Sequence, residues 1–253
     1  MSHQGESPRP RRSSPLAACL VPLRDVPTQA AVLAELRRVI LAGDAPPGTV
    51  VPLDEVAAAL GMSVIPVRES LKILIGEGLV EQRSRGAYMV ARLARSELLE
   101  LYAARGVLEN AVLAVAVAAA APDDHARART ALAALDRAVQ EGDLPGYHRE
   151  SRRFHFALLE PARMRRFTAM VEAAWNLTES YRPMARVSDA DRRRLHADHA
   201  AMLAAFVAGD AASLLECAAT HHGRLLGALA TLPPGSELFA SEPEEPEAPC
   251  TSS

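Results

Sequence analysis

Aromatic side chains are scarce in this chain, at 4% of 253 residues, while Ala and Leu dominate a 49% hydrophobic composition. That balance favours helices. Cysteine is nearly absent: Cys19, Cys217 and Cys250 stand far apart. No paired spacing links them, so a cysteine zinc site is excluded and free thiols are expected. No apolar run reaches the roughly 18 residues of a membrane span; Ala111 to Ala121 comes closest and is too short. The start, with His3, Glu6 and Arg9 to Arg12, lacks the apolar core of a signal peptide, so a cytoplasmic location and no membrane partner are expected. An excess of positive charge is missing too. The net charge of −3 excludes a uniformly basic nucleic-acid binder.

Charge placement is more informative than its sum. Between Pro27 and Arg95, eight basic residues oppose seven acidic ones. The pattern there is helix, short helix, longer helix and hairpin. Val32, Leu36, Val39 and Ile40 line one helical face that Gly43 ends. Asp54 to Leu60 is a short helix closed by Gly61. Ser63 is placed to cap the next helix, with Pro66 in its first turn, where a missing N–H costs little. Val67, Leu71 and Leu74 then face inward, leaving Val64, Ile65, Arg68 and Lys72 outside. Leu79 to Arg83 and Ala87 to Val90 alternate as two wing strands, with Arg83, Arg85 and Gly86 at their turn. A segment this small has little room for an active-site cavity, but it can lay one helix in a major groove.

The rest divides simply. Residues 1–24, rich in Pro, Ser and Arg, read as a disordered arm, and residues 233–253, acidic and broken by Pro, as a disordered tail. Residues 25–95 are expected to form one small domain able to lay a helix on DNA. Residues 96–232 are helical almost throughout, with Ser96 as the first cap. Breaks at Pro122, Gly142 to Gly146, Pro161, Pro183 to Ser188 and Gly209 cut them into about six helices. The expected fold is mainly α: a winged helix-turn-helix of three helices and a two-stranded wing, then an all-α antiparallel bundle.

The run from Gly43 to Val90 resembles the winged helix-turn-helix of the GntR family of bacterial transcription regulators. Arg105-Gly-Val-Leu-Glu109, Ser151-Arg-Arg-Phe-His155, and Asp198-His199 followed by Gly209-Asp210 and His221 resemble the FCD-type effector domain of its FadR branch. The resemblance covers about residues 27 to 232. It implies a homodimer on double-stranded operator DNA, acting as a repressor controlled by a small carboxylic acid. It also implies a divalent metal, zinc or nickel, held by an Asp and three His. Three ligands transfer: His155, His199 and His221. Ser151 stands at the expected Asp position, and serine is a poor ligand beside carboxylate. Three imidazoles still suit zinc or nickel and leave positions open for an acid.

On the resemblance, Arg68 contacts base or phosphate, Ser63 and Lys72 position on phosphate, and Arg83, Arg85 and Gly86 reach from the wing. Val64 replaces an arginine common at that position and, with Ile65, suits a thymine methyl group. Arg105 either enters the cavity to pair with an effector carboxylate or pairs with Glu109 on its own helix. Tyr147, Asn176 and Tyr181 suit hydrogen bonding to an effector or core packing, and Arg182 is a further cavity candidate. Trp175 reads as core, and His125, His148, His196 and His222 as ordinary residues. Two other functions fit parts of the sequence: a constitutive DNA-binding regulator with a non-sensing bundle, and a metal-dependent hydrolase using the His cluster on water. The hydrolase has no clear general base and leaves the winged helix unexplained, so the chain is read as a regulator rather than an enzyme.

Overall fold

In a computed structural model, residues 14–23, 28–83, 86–233 and 238–242 are described. The chain forms two units, Met1–Ala91 and Arg92–Ser253.

In the first unit, α1 (Pro15–Cys19) is followed by α2 (Gln29–Leu41), β1 (Val50–Val51), α3 (Leu53–Leu60), α4 (Val64–Gly76), β2 (Val80–Gln82) and β3 (Tyr88–Val90). Thr28 caps α2 by accepting from the Ala31 N–H at 3.2 Å. Gly61 ends α3 at φ 70°, a left-handed conformation that suits glycine. Val32, Leu36, Val56, Leu60, Val67, Leu71 and Leu74 have their side chains in one apolar interior. The Ser70 hydroxyl donates to the Pro66 carbonyl within α4 and also reaches the Gln29 carbonyl on α2.

Two expectations change here. The wing is part of a three-stranded antiparallel sheet, ordered β1-β3-β2, with Val50 opposite Met89 and Val80 opposite Val90. A two-residue strand between Gly48 and Pro52 is too short to show alternation, so the sequence concealed it. Part of the expected disordered arm is also folded: in α1, Leu16 is fully buried, and the Ser14 N–H donates to Glu55 on α3 at 2.7 Å. Two apolar side chains with a buried place to go, Leu16 and Leu20, anchor a segment whose composition reads as disordered.

The second unit holds α5 (Arg95–Ala119), α6 (Pro122–Glu141), α7 (Leu144–Leu159), α8 (Arg165–Glu179), α9 (Asp189–Ala208) and α10 (Ala211–Ala230). Short 3-10 turns lie at Glu160–Ala162 and Pro183–Ala185. These are six helices, broken where Pro and Gly foretold. Gly142 and Gly209 are left-handed C-caps, and Asp143, Ser188 and Asp210 accept from backbone N–H groups at the starts of α7, α9 and α10. At the start of α5 the expected cap is displaced: the helix begins at Arg95, the Glu97 carboxylate accepts from the Ala94 N–H, and the Ser96 hydroxyl bonds Glu242 instead.

α5 packs against α7, α8 and α10. By length and hydropathy it is apolar enough to cross a membrane, yet it carries Arg105 and Glu109 inside the bundle and serves as its core helix. The C-terminal segment also departs from expectation. Phe239 is buried, stacked 5.9 Å from Tyr181, and the Ala240 N–H donates to the Leu93 carbonyl. Leu238 and Phe239 precede the acidic run and find apolar partners that the composition of the whole tail obscured.

Candidate metal centre and nucleic-acid interface

The outer face of α4 is an arrangement of short-range rules. With Val67, Leu71 and Leu74 turned inward, a helical period of 3.6 leaves Ser63, Ile65, Arg68 and Lys72 exposed and Val64 half-buried. Ser63 occupies the N-cap position, but its side chain makes no capping bond and remains available. Ile65 is 70% exposed, a large apolar side chain left in water at the start of the helix. Glu69 pairs with Lys72 at 2.8 Å, so it does not neutralise Arg68. On the wing, Arg83 pairs with Glu81 at 3.1 Å, and exposed Gly86 has φ 82°, which only glycine adopts easily. Arg85 lies outside the described residues.

Inside the bundle, α7, α9 and α10 bring His155, His199 and His221 together, with one ring nitrogen of each within 4.8 Å of the others. The Nε2 atoms of His155 and His199 are 3.3 Å apart. α5 supplies the charged support. Glu109 accepts from His155 Nδ1 at 2.8 Å, which puts the proton on Nδ1 and turns the Nε2 lone pair toward the other imidazoles. Glu109 also lies 3.0 Å from Arg105 and 3.5 Å from His222 Nε2. Gly106 admits the His222 ring, because a Cβ there would stand 3.2 Å from it.

Burial sets the protonation states. It pushes the imidazoles of His155, His199 and His221 below their ordinary values; for His199 and His221, neighbouring imidazoles push further. Burial alone would raise the Glu109 carboxyl, but His155 and His222 outweigh it and hold it well below the usual carboxylate range. Burial thus disfavours the charged forms of His155, His199 and His221, and a neutral imidazole is the form that binds a metal. The spacing fits as well: two nitrogens about 2.1 Å from a tetrahedral zinc are about 3.4 Å apart. His199 Nδ1 and His221 Nδ1 are buried with no hydrogen-bond partner among the described residues. The three-imidazole set therefore fits a divalent ion even with Ser151 in place of a carboxylate.

A cavity of about 40 Å³ adjoins the imidazoles, and Ser151, Arg105 and Tyr147 line it. Glu150, beside Ser151, turns away and pairs with Arg149 and Arg153. The Arg105 guanidinium lies over the Trp175 ring at 3.9 Å and over Tyr102 at 4.7 Å, so it both pairs with Glu109 and faces the cavity. The Tyr147 hydroxyl is buried with no partner among the described residues.

Three expected cavity residues are not in its lining. Asn176 accepts from Arg152 at 2.7 Å, Tyr181 accepts from the Leu93 N–H, and Arg182 pairs with Glu179 at 3.6 Å. Periodicity alone could not tell cavity wall from core here. Among the lining residues that sequence reasoning did not place there are His148 and Glu179, and it also missed His222, which lies beside Glu109. His148 is buried, and its imidazole is pushed down to about 3 by burial, with Arg182 and Arg192 adding to it. A buried helix face carrying several imidazoles was the one signal available.

Comparison with known proteins agrees with this architecture. Residues 28–90 match the model for bacterial regulatory proteins of the gntR family, and residues 100–224 match the FCD domain. McbR, an HTH-type transcriptional regulator of Escherichia coli K12, is 28% identical over 141 residues, covering 56% of this chain and 64% of McbR. A probable D-xylose utilization operon transcriptional repressor of Paenarthrobacter nicotinovorans is 32% identical over 189 residues, covering 72% of this chain and 80% of that protein. The solved E. coli McbR/YncC structure superposes with a TM-score of 0.73 at 25% identity, covering 81% of this chain and 98% of that one. The chain belongs to the GntR family of transcription regulators and carries an FCD domain. These relatives are regulators rather than enzymes, which removes the hydrolase reading.

Proposed function

We propose that this regulator binds operator DNA as a homodimer through α4 and the wing, and acts as a repressor whose DNA affinity changes with a small carboxylate. The carboxylate enters beside a divalent ion, zinc or nickel, held by His155, His199 and His221. The observation that supports this most is the meeting of three buried imidazoles, two of them with nitrogens 3.3 Å apart, beside Arg105 and a Tyr147 hydroxyl without a partner among the described residues. A bound divalent ion supplies open coordination positions for an acid. Glu109 orients His155 and balances Arg105. Tyr147 offers a donor to the acid, and Ser151 leaves the donor set at three nitrogens. On the DNA side, Arg68 contacts base or phosphate, Ser63, Lys72, Arg83 and Arg85 contact the backbone, Val64 and Ile65 meet a thymine methyl, and Gly86 lets the wing turn close to the duplex.

The cavity of about 40 Å³ holds little more than water, so an organic acid requires the wall to move. That movement is what would link the two sites, and the coupling must be reciprocal: acid alters DNA affinity and DNA alters acid affinity. The same tightness favours a second reading, a constitutive regulator whose bundle senses nothing. Elemental analysis of the purified full chain beside His155→Ala tests the metal. Stoichiometric metal lost in the variant is expected; a metal-free wild-type protein overturns that part. Operator affinity measured with added metal across a panel of small carboxylic acids tests the sensor, and invariance across the panel leaves the constitutive reading.

A further inference from the structure

A groove of about 970 Å³ lies between α6, α7 and α8, well apart in size from the 40 Å³ cavity and sharing none of its lining residues. Its volume falls in the range of small-molecule sites, about 300–1,000 Å³. The floor has an unusual make-up. Ala131, Ala134, Ala157 and Ala169 end at Cβ, so they leave a flat apolar surface, and Phe156 adds one aromatic ring. Behind the floor the Phe156 ring lies 5.7 Å from Trp175.

The rim is cationic. Arg127, Arg137, Arg153, Arg163 and Arg165 line it, against the carboxylates Glu160 and Glu172. Those two are already engaged, Glu160 with Arg127 and Glu172 with Arg152, and Arg153 pairs with Glu150. Arg137, Arg163 and Arg165 are in no ion pair among the described residues. Arg163 holds φ 51°, a left-handed backbone that glycine would adopt without strain. An arginine at that position places a guanidinium on the rim against its own backbone preference. Flat apolar floor and unpaired guanidiniums together select a ligand with a planar apolar body and an anionic group, since a guanidinium pairs best with a planar carboxylate through two parallel N–H donors.

We infer that this groove is a binding site for an aromatic carboxylate, separate from the His-lined cavity. The inference does not rest on the metal reading.

The test titrates the full chain with biphenyl-4-carboxylate by calorimetry, while fluorescence of Trp175, the sole tryptophan, reports the floor. Saturable binding of one acid per chain is expected, with a change in tryptophan emission. Arg163→Ala and Arg165→Ala alter exposed side chains and should each weaken binding about tenfold. Ala169→Glu places a carboxylate on the floor and should abolish it. The neutral analogue biphenyl-4-methanol should bind at least about tenfold more weakly. Tyr147→Phe, which alters the His-lined cavity and lies outside the groove's lining, should leave binding unaltered. The inference is overturned by no saturable binding up to millimolar acid, by equal binding of the neutral analogue, or by arginine variants that bind like the parent. Loss of binding in Tyr147→Phe would overturn it too, because it would place the acid in the other cavity.

Discussion

In the DNA-binding unit the cations Arg68 and Lys72 stand in water above an interior made of Val67, Leu71 and Leu74. In the bundle the arrangement is inverted: Arg105, Glu109, His148, His155, His199, His221 and His222 are all buried. A surface that meets polyphosphate works through charges that remain hydrated until contact, and salt screens them. A buried set is hardly screened, but each member needs a partner, because removing a charge from water costs several kcal/mol. The first unit can therefore lose a surface cation and still fold. The second unit couples its site to its stability.

The largest expected effect follows from that coupling. Glu109→Ala leaves Arg105 without its 3.0 Å partner inside the protein, and should destabilise the bundle by about 3–5 kcal/mol. A urea melt followed by circular dichroism measures this; a loss below 1 kcal/mol would break the contrast between the units. Next, Arg68→Ala should cost about 1–3 kcal/mol of operator affinity with no change in the melt, as read by fluorescence anisotropy on operator DNA. A comparable loss of stability would show that Arg68 supports the fold rather than DNA contact.

The pH dependence of stability sharpens the comparison. Folding lowers the His148 imidazole to about 3, so between its unfolded value near 6.5 and that point the unfolded chain binds the extra proton. Stability should accordingly be full above about pH 6.5 and fall as the pH drops below it. In His148→Gln the slope between pH 6 and 4 should flatten by up to about 1.4 kcal/mol per pH unit, the limit for one proton. Parallel curves would mean that His148 is not held neutral. The smallest effect should be Lys72→Ala, whose ammonium is exposed and already shared with Glu69. Operator binding should weaken uniformly across sequences, and the slope of log affinity against log salt should shrink by about one per chain.

Legibility differed between the units for the same reason. α2, α3 and α4 were readable because period, cap and glycine signals are local, and the inward set Val67, Leu71 and Leu74 is buried as the spacing required. The helix breaks of the bundle were legible on the same grounds. β1 was not: two residues carry no period, and its existence depends on β3 offering free backbone groups across the sheet. α1 and the segment around Phe239 were also hidden, since each is held by a pair of apolar side chains, Leu16 with Leu20 and Leu238 with Phe239, too few to show a period. In the site, His155, His199 and His221 were reachable through motif spacing. His148, Glu179 and His222 were not, because no local pattern marks a side chain that meets its partner across two helices.

The sequence by itself determined the order of the helices from α2 to α10 and the exposed face of α4, because these follow from interactions among residues a few positions apart. The tertiary structure alone decided that His148 and His222 are buried near the three named histidines. It also decided that Arg105 serves Glu109 and the cavity wall together, and that Asn176 and Tyr181 point to other partners. Those outcomes depend on how separate helices pack, and a helix's own period does not specify the neighbour against which its buried face is set.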